Sequence, residues 1–162
     1  MINKTTPSLY KLHFPMIPEA FSINQQKQFT VFITGTLLPS ITLNDETLPY
    51  MGQDLHMDGG GLEFGQWATS FHIDEKWESY LLFYNWMVSI NNGQTKFGSN
   101  SFDHQINGFL SILDNYQKEI LTWKFHRVWP IELGDVELSY ADDAIDVEAN
   151  VTLQYDFFEI DK

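Results

Sequence analysis

The residue types that most often carry catalysis or metal binding are spread thinly along this chain. Its five histidines are far apart, and none stands at a spacing typical of a zinc site: His13, His56, His72, His104 and His126. His56 lies close to a carboxylate, Asp58, but two ligands do not complete a zinc site. The chain has no cysteine, which removes disulfides, thiolate chemistry and cysteine metal sites. We therefore expect a structural or surface role for each histidine.

Two further clusters suggest ion binding at first sight. Four acidic residues near the C-terminus match no EF-hand spacing, and a turn followed by a solvated strand face explains them: Asp142, Asp143, Asp146 and Glu148. The glycine run 59–61 could cradle an anion, but Glu63 and its acidic surroundings favour a loop hinge. There is no Gly-x-Ser-x-Gly elbow and no Walker loop. We predict no catalytic residue, no cofactor and no metal, hence a protein that is not an enzyme.

The charge balance argues against nucleic-acid recognition. Acidic residues number 22 against 9 basic ones, a formal net charge of −13, and the basic residues are scattered singly. A surface of that sign repels a phosphate backbone, so no specific nucleic-acid binding is expected. No apolar run approaches the roughly 20 residues of a membrane span, and the first residues lack a secretory signal. We expect a soluble chain that does not insert into membranes and is made in a reducing cytoplasm.

The periodicity predicts strands around a single helix. The last strand is the clearest, because apolar and polar residues alternate without exception from Ile145 to Phe157. Other strands are predicted in these segments: Gln28–Thr34, Gly65–Ile73, Ile106–Leu113, Glu119–Val128 and Asp135–Tyr140. The segments Ile106–Leu113 and Glu119–Val128 are predicted to form a hairpin with its turn at Asp114–Asn115. Trp129–Pro130 is expected to end the second strand of this hairpin.

The helix is predicted over residues 75–91. Asp74 is its expected N-cap, Asn92–Gly93 its end, and one face carries a stripe of apolar residues: Trp77, Tyr80, Leu81, Tyr84 and Val88. The segment from Leu38 to Gly65 is expected to be a long irregular loop with one short strand near Gln53–Met57. A loop of that length is unusual unless it contacts something. The fold class is therefore mainly β: one domain, 1–162, an antiparallel β-sandwich or barrel of six or seven strands with one α-helix.

A resemblance follows from the C-terminal third of the chain. Trp129-Pro130, a short spacer, Gly134, a segment through Leu138 and Tyr140, and a final strand ending in Phe157-Phe158 resemble the pattern of tail tube proteins of contractile-tailed bacteriophages. Leu38-Pro39, the long loop, and a helix ending near Asn91-Asn92-Gly93-Gln94 follow the same order. The resemblance extends from about residue 28 onward and includes the tubes of type VI secretion systems.

The resemblance implies a structural virion protein that self-assembles. Such subunits form hexameric rings, and the rings stack into a hollow tail tube through which DNA passes into the host. Tail sheath and baseplate proteins are the implied partners, and the virion tail, assembled in the host cytoplasm, is the implied location. Carboxylates on the final strand would then make an acidic lumen: Asp146, Glu148 and Asp156. The long loop would stack one ring on the next, through Pro39, Asn44, Pro49, Gly52 and Gly60.

Other functions stay open at this point. A baseplate tube initiator, or the tube protein of a contractile injection or type VI secretion system, would show a similar pattern. Five tryptophans also suit a carbohydrate-binding β-sandwich, although Trp67, Trp77 and Trp123 lie on predicted apolar faces, which favours core packing. A small β-sandwich glycosidase needs only two carboxylates brought together by folding, which the sequence does not show.

Overall fold

The computed structural model describes residues 9–14, 33–95, 105–138 and 146–162. Nine strands and one helix occur in these ranges: β1 Tyr10–His13, β2 Ile33–Thr36, β3 Ile41–Tyr50, β4 Gln53–Phe64, β5 Trp67–His72, α1 Glu78–Thr95, β6 Ile106–Leu113, β7 Glu119–Leu133, β8 Glu148–Gln154 and β9 Phe157–Asp161. All the strand pairs are antiparallel. The predicted fold class is confirmed, with more strands than the six or seven expected.

Two sheets share strand β7. Its first part, residues 119–128, lies between β6 and β9, and β1 pairs with β6; we name these four strands sheet A. Its last part, residues 129–133, pairs with β8, which continues to β5 and β2; we name this sheet B. Arg127 has a positive φ of 54°, and the β6–β7 register shifts close by. The resulting bulge bends β7 from one sheet into the other, so the strand does not end at Trp129–Pro130 as predicted.

The core between the sheets is aromatic. Trp67 on β5 and Phe125 on β7 are fully buried and stack with ring centroids 4.0 Å apart. Gly108 on β6 makes this possible, because a Cβ there would lie 2.9 Å from ring atoms of Trp67 and of Phe14. Val151 and Leu153 on β8 complete the buried layer. The expected burial of Trp67 and of the alternate residues of β8 is therefore confirmed.

The helix lies a few residues further along than predicted. Asp74 still serves its start, since its Oδ1 accepts hydrogen bonds from the backbone N–H and the Oγ–H of Ser79, both at 2.9 Å. Burial acts to raise the pKa of Asp74, but these hydrogen bonds and one from the backbone of Glu78 outweigh it and leave the pKa below its usual value. Trp77 has a φ of +59°, which is not helical, so α1 begins at Glu78 and continues to Thr95.

The predicted buried face of the helix is wrong. The buried apolar residues of α1 are Leu82, Phe83 and Trp86. Three of the five residues of the predicted stripe are exposed instead. The helix has apolar residues on two sides, and periodicity alone does not say which side faces the sheets.

The last predicted strand is divided in two. It bends at Tyr155–Asp156, where β8 ends in sheet B and β9 begins in sheet A beside the first part of β7. The backbone N–H of Asp156 donates to the carbonyl of His126 at 3.1 Å and fixes the crossing. Residues 135–138 form no strand, contrary to prediction. Residues 28–32 and 139–145, which include predicted strand residues and the Asp142–Asp143 turn, lie outside the described ranges.

The expected irregular loop is instead a long β-hairpin. Strands β3 and β4, Ile41–Phe64, form a separate two-stranded sheet that we name the arm. Its turn, Met51–Gly52, has positive φ at both residues (49° and 79°), as a tight two-residue hairpin turn requires. The glycine run 59–61 is a bulge inside β4 rather than a loop hinge. A Cβ on Gly60 would lie 2.8 Å from the carbonyl oxygen of Asn44 on the opposite strand, so the strands approach too closely for any larger residue.

Candidate assembly surfaces

The arm has two unlike faces in its outer half. Residues directly opposite each other across a strand pair share a face, which places Leu48 with Leu55 and Glu46 with Met57. One face is therefore apolar, and we define the arm's apolar face as Leu48, Tyr50, Leu55 and Met57. All four side chains are about half exposed, between 49% and 59%.

The opposite face of the arm is acidic. Asp45 and Asp54 lie on it with His56, whose Nδ1 is 2.8 Å from Oδ2 of Asp45. The whole arm contains five carboxylates and no lysine or arginine. An uncompensated negative charge on one side and exposed apolar residues on the other make the arm a poor free surface and a suitable contact surface.

The base of the arm is fixed firmly to the sandwich. The backbone N–H of Gly65 donates to the carbonyl of Ser40, and the hydroxyl of Tyr155 donates to the carbonyl of Gly65 at 2.7 Å. Phe64 packs edge-on against Phe158, with centroids 5.1 Å apart. Burial raises the pKa of Tyr155 to about 12. These contacts fix the base of the arm, although its outer half contacts little of the rest of the described residues.

The residues predicted for ring stacking all belong to the arm or its entry. Pro39 precedes β3, Pro49 is near the tip, and Gly52 lies in the turn. Asn44 and Gly60 face each other at the bulge, where Nδ2 of Asn44 donates to Oε1 of Glu63 at 2.7 Å. The structure therefore gathers these five residues on one projecting element.

The three predicted lumen carboxylates do not form one row. Asp146 and Glu148 are exposed at the start of β8, where Oε1 of Glu148 lies 3.6 Å from Nδ1 of His72 on β5. Asp156 lies beyond the end of β8, in the bend, and forms an ion pair with Arg127. The charge of Asp156 is therefore compensated by Arg127. Asp156 lies apart from the other two carboxylates because the predicted strand is broken at Tyr155–Asp156.

The outward face of sheet B is the more continuous polar surface. Ser70 is the cross-strand partner of Asn150, and Thr152 the partner of both Ala68 and Glu132. The parts of β2, β5, β7 and β8 that form sheet B contain no lysine or arginine. Sheet A differs, since it carries Lys11, Lys124 and Arg127. The lysine and arginine residues of the described strands are thus confined to sheet A, which also carries Glu119, Glu159 and Asp161.

The family motif occupies the joint between β7 and β8. Trp129 pairs with Gln154, and Pro130 is buried opposite Leu153. The N–H of Gly134 donates to the carbonyl of Asn150 at 2.7 Å, and a Cβ on Gly134 would crowd that carbonyl at 3.2 Å. Leu138 is exposed, and Tyr140 lies outside the described residues.

The helix contributes a surface that the sequence analysis missed. Trp77, Leu81 and Tyr84 are 36%, 47% and 52% exposed, and we name them the helix stripe. The spacing had been found, but it was assigned to the core. Of the tryptophans considered for sugar stacking, Trp67 is fully buried and Trp123 is half-buried against the core, which leaves no flat tryptophan surface at either position.

Among the described residues, no three histidine or acidic side chains are grouped as a metal site would need. No helix in the same ranges combines the length and the apolar character needed to cross a membrane.

The sequence comparison identifies the class of structural protein to which this fold belongs. Residues 5–161 match the family model of the phage tail tube protein, and the chain belongs to that family. The chain is also similar to the tail tube terminator protein of Enterobacteria phage T4, with 28% identity over 147 residues, covering 88% of this chain and 80% of that one. The predicted family is confirmed.

Solved structures of contractile injection systems contain the same fold. A chain in the PVC sheath/tube terminator structure, in the extended state, matches with a TM-score of 0.69 at 10% identity, over 99% of both chains. A chain in the tube-terminating cap of the anti-feeding prophage matches with a TM-score of 0.67 at 10% identity, over 99% of this chain and 93% of that one. These likenesses show that the architecture is shared with such systems.

Proposed function

We propose that this chain is a virion structural subunit that forms a hexameric ring at the end of a contractile tail tube. The observation that carries the proposal is the arm, a two-stranded sheet whose apolar side chains are half exposed. An isolated two-stranded hairpin is at best marginally stable in water, so these residues are best explained by contact with other subunits. The similarity to the T4 tail tube terminator supports the terminal position rather than the bulk of the tube.

The outward face of sheet B is proposed to line the channel. It is polar, and its charged groups are carboxylates, including Glu132 and Glu148, with His72 beside them. Such a wall repels the phosphates of DNA over roughly 8 Å at physiological salt, so DNA passes without adhering. In this arrangement Asp146 and Glu148 remain lumen candidates and Asp156 does not.

The arm is proposed to contact other subunits, and its tip to meet the adjacent ring of the tube. The turn projects furthest from the base at Gly65, and Met51 beside Gly52 is almost fully exposed. Sheath and baseplate proteins are the further partners proposed for the outer surface of the ring, in the virion tail. A baseplate initiator or the tube of a secretion system is the alternative that the shared fold leaves open.

The test is the mass and shape of the purified chain. Six copies of an 18.9 kDa subunit have a mass of about 113 kDa, and multi-angle light scattering should detect that mass. Negative-stain microscopy should show rings one subunit thick that do not grow into tubes alone. Long tubes would identify a bulk tube protein, and a monomer at every concentration would contradict the ring.

A further inference from the structure

Two apolar surfaces of one subunit are half exposed, and they have different shapes. The arm's apolar face is flat and built on two strands, whereas the helix stripe is a narrow ridge along α1. A ridge and a flat strip of matching length can pack against each other. Since each copy has one of each, contacts of this kind repeat from copy to copy without leaving either surface uncovered.

The two surfaces are of similar length. Glu46 to Tyr50 spans about 13 Å at roughly 3.3 Å per residue of strand. Trp77 to Tyr84 spans about 10 Å at roughly 1.5 Å per residue of helix. Neither surface would extend far past the other when they are aligned.

One exposed residue at an end of each surface carries a charge opposite in sign to that at the other. Glu46 is at the base end of the arm's apolar face, opposite Met57. Lys76 directly precedes Trp77 at the start of the helix stripe, and both Lys76 and Glu46 are exposed. Lys76 is the one lysine or arginine between residues 28 and 95, in a stretch that is otherwise acidic. The one lysine or arginine of residues 28–95 therefore lies beside the apolar ridge.

We infer that the arm's apolar face of one copy packs on the helix stripe of the next copy in the same ring, with Glu46 beside the neighbour's lysine at position 76. The inference rests on the proposed ring and names its lateral contact. Each copy gives an arm on one side and receives one on the other, which is a heterologous contact, and such contacts close into a ring when the rotation permits. The tip of the arm stays free for the adjacent ring.

The first test uses the absence of cysteine from the chain. Leu55→Cys is made in one preparation and Tyr84→Cys in a second that carries a mass tag, and the two are mixed, assembled and mildly oxidised. A disulfide-linked heterodimer is expected on a non-reducing gel, and it can form only between copies. The matched control replaces Tyr84→Cys by Asn150→Cys, an exposed position on sheet B, and should give no heterodimer.

The second test exchanges the two charges. Glu46→Lys and Lys76→Glu should each weaken assembly by about 3- to 10-fold, as measured by the concentration at which the ring dissociates. The double variant E46K/K76E keeps the net charge and should return to within about twofold of the unmodified chain. Failure of the double variant to recover would overturn the pairing of these two residues.

The outcomes separate this inference from the proposed function. Rings that form normally but give no heterodimer would overturn the arm-to-helix contact and leave the ring standing. That result is expected if a different protein covers the arm instead. Absence of any ring in the unmodified chain would overturn both proposals.

Discussion

The sandwich and the arm are built from the same kinds of strand and differ in what covers their side chains. In the sandwich, Trp67, Phe125 and Val151 are fully enclosed by the opposite sheet and the helix. In the arm, side chains of comparable size such as Leu48 and Leu55 remain half exposed on a sheet of only two strands. The comparison teaches that the sandwich supplies the stability of the subunit, whereas the arm leaves apolar side chains half exposed, and the proposed function assigns these to contacts with other subunits.

The largest effect is expected in the core. Trp67→Ala removes a ring stacked 4.0 Å from Phe125 and leaves a cavity that the close-packed Gly108 region does not fill. The free energy of unfolding should fall by about 3–5 kcal/mol, as measured by denaturant titration followed by circular dichroism. Trp77→Ala is the matched control, since that tryptophan is exposed, and it should cost far less. If the two variants lost equal free energy of unfolding, Trp67 would not be the stabilising core residue that the structure shows.

A smaller effect is expected where the two regions join. Tyr155→Phe removes the hydrogen bond to the carbonyl of Gly65, and at pH 8 it should lower the free energy of unfolding by about 1 kcal/mol. The pKa of Tyr155 is raised to about 12 in the folded chain from 10.0. Above pH 10 the unfolded chain loses this proton first, so the stabilisation is fully present below pH 10 and is lost as the pH rises towards 12.

The measurement is the stability difference between the unmodified chain and Tyr155→Phe at several pH values. The difference should be constant below pH 10, and above pH 10 it should decline and change sign, because the folded chain resists ionisation of the buried hydroxyl. Burial also raises the pKa of Tyr10. Because Tyr10 is present in both proteins, its contribution cancels in the stability difference. A difference that does not change with pH would show that the Tyr155 hydroxyl is not held as the structure places it.

Sequence periodicity was reliable where one side of an element is polar. The alternation in β8 correctly placed Ala149, Val151 and Leu153 inside, and Asp114 correctly marked the β6–β7 turn, where its Oδ1 accepts from the N–H groups of Tyr116 and Lys118. It failed where apolar residues lie on both sides, as in α1. The choice between two apolar faces is made by tertiary packing, which local spacing does not contain.

The arm was missed for a different physical reason. Its strands contain Pro49 and a run of three glycines, which are normally signs of a loop. The structure accommodates them at a strand edge and at a bulge, and the arm has no core of its own to impose a clear pattern. The five residues predicted for ring stacking nevertheless lie on this element or at its entry, because they come from one continuous segment, and their role in stacking stays a prediction.

The smallest effect on the stability of the subunit is expected at the arm's apolar face. Leu48→Ser with Leu55→Ser replaces two side chains that are each half exposed, so the free energy of unfolding of the isolated subunit should change by less than about 1 kcal/mol. Assembly should nevertheless fail, because the hydrophobic contribution of these leucines appears only when another copy covers them. Light scattering should then give the mass of one subunit, with an unchanged circular dichroism spectrum.

Thr47→Ser, on the opposite face of the same strand, is the control and should leave the ring intact. If the double variant assembled as well as the control, the arm would not be the surface through which the subunits associate, and its exposed leucines would need another explanation.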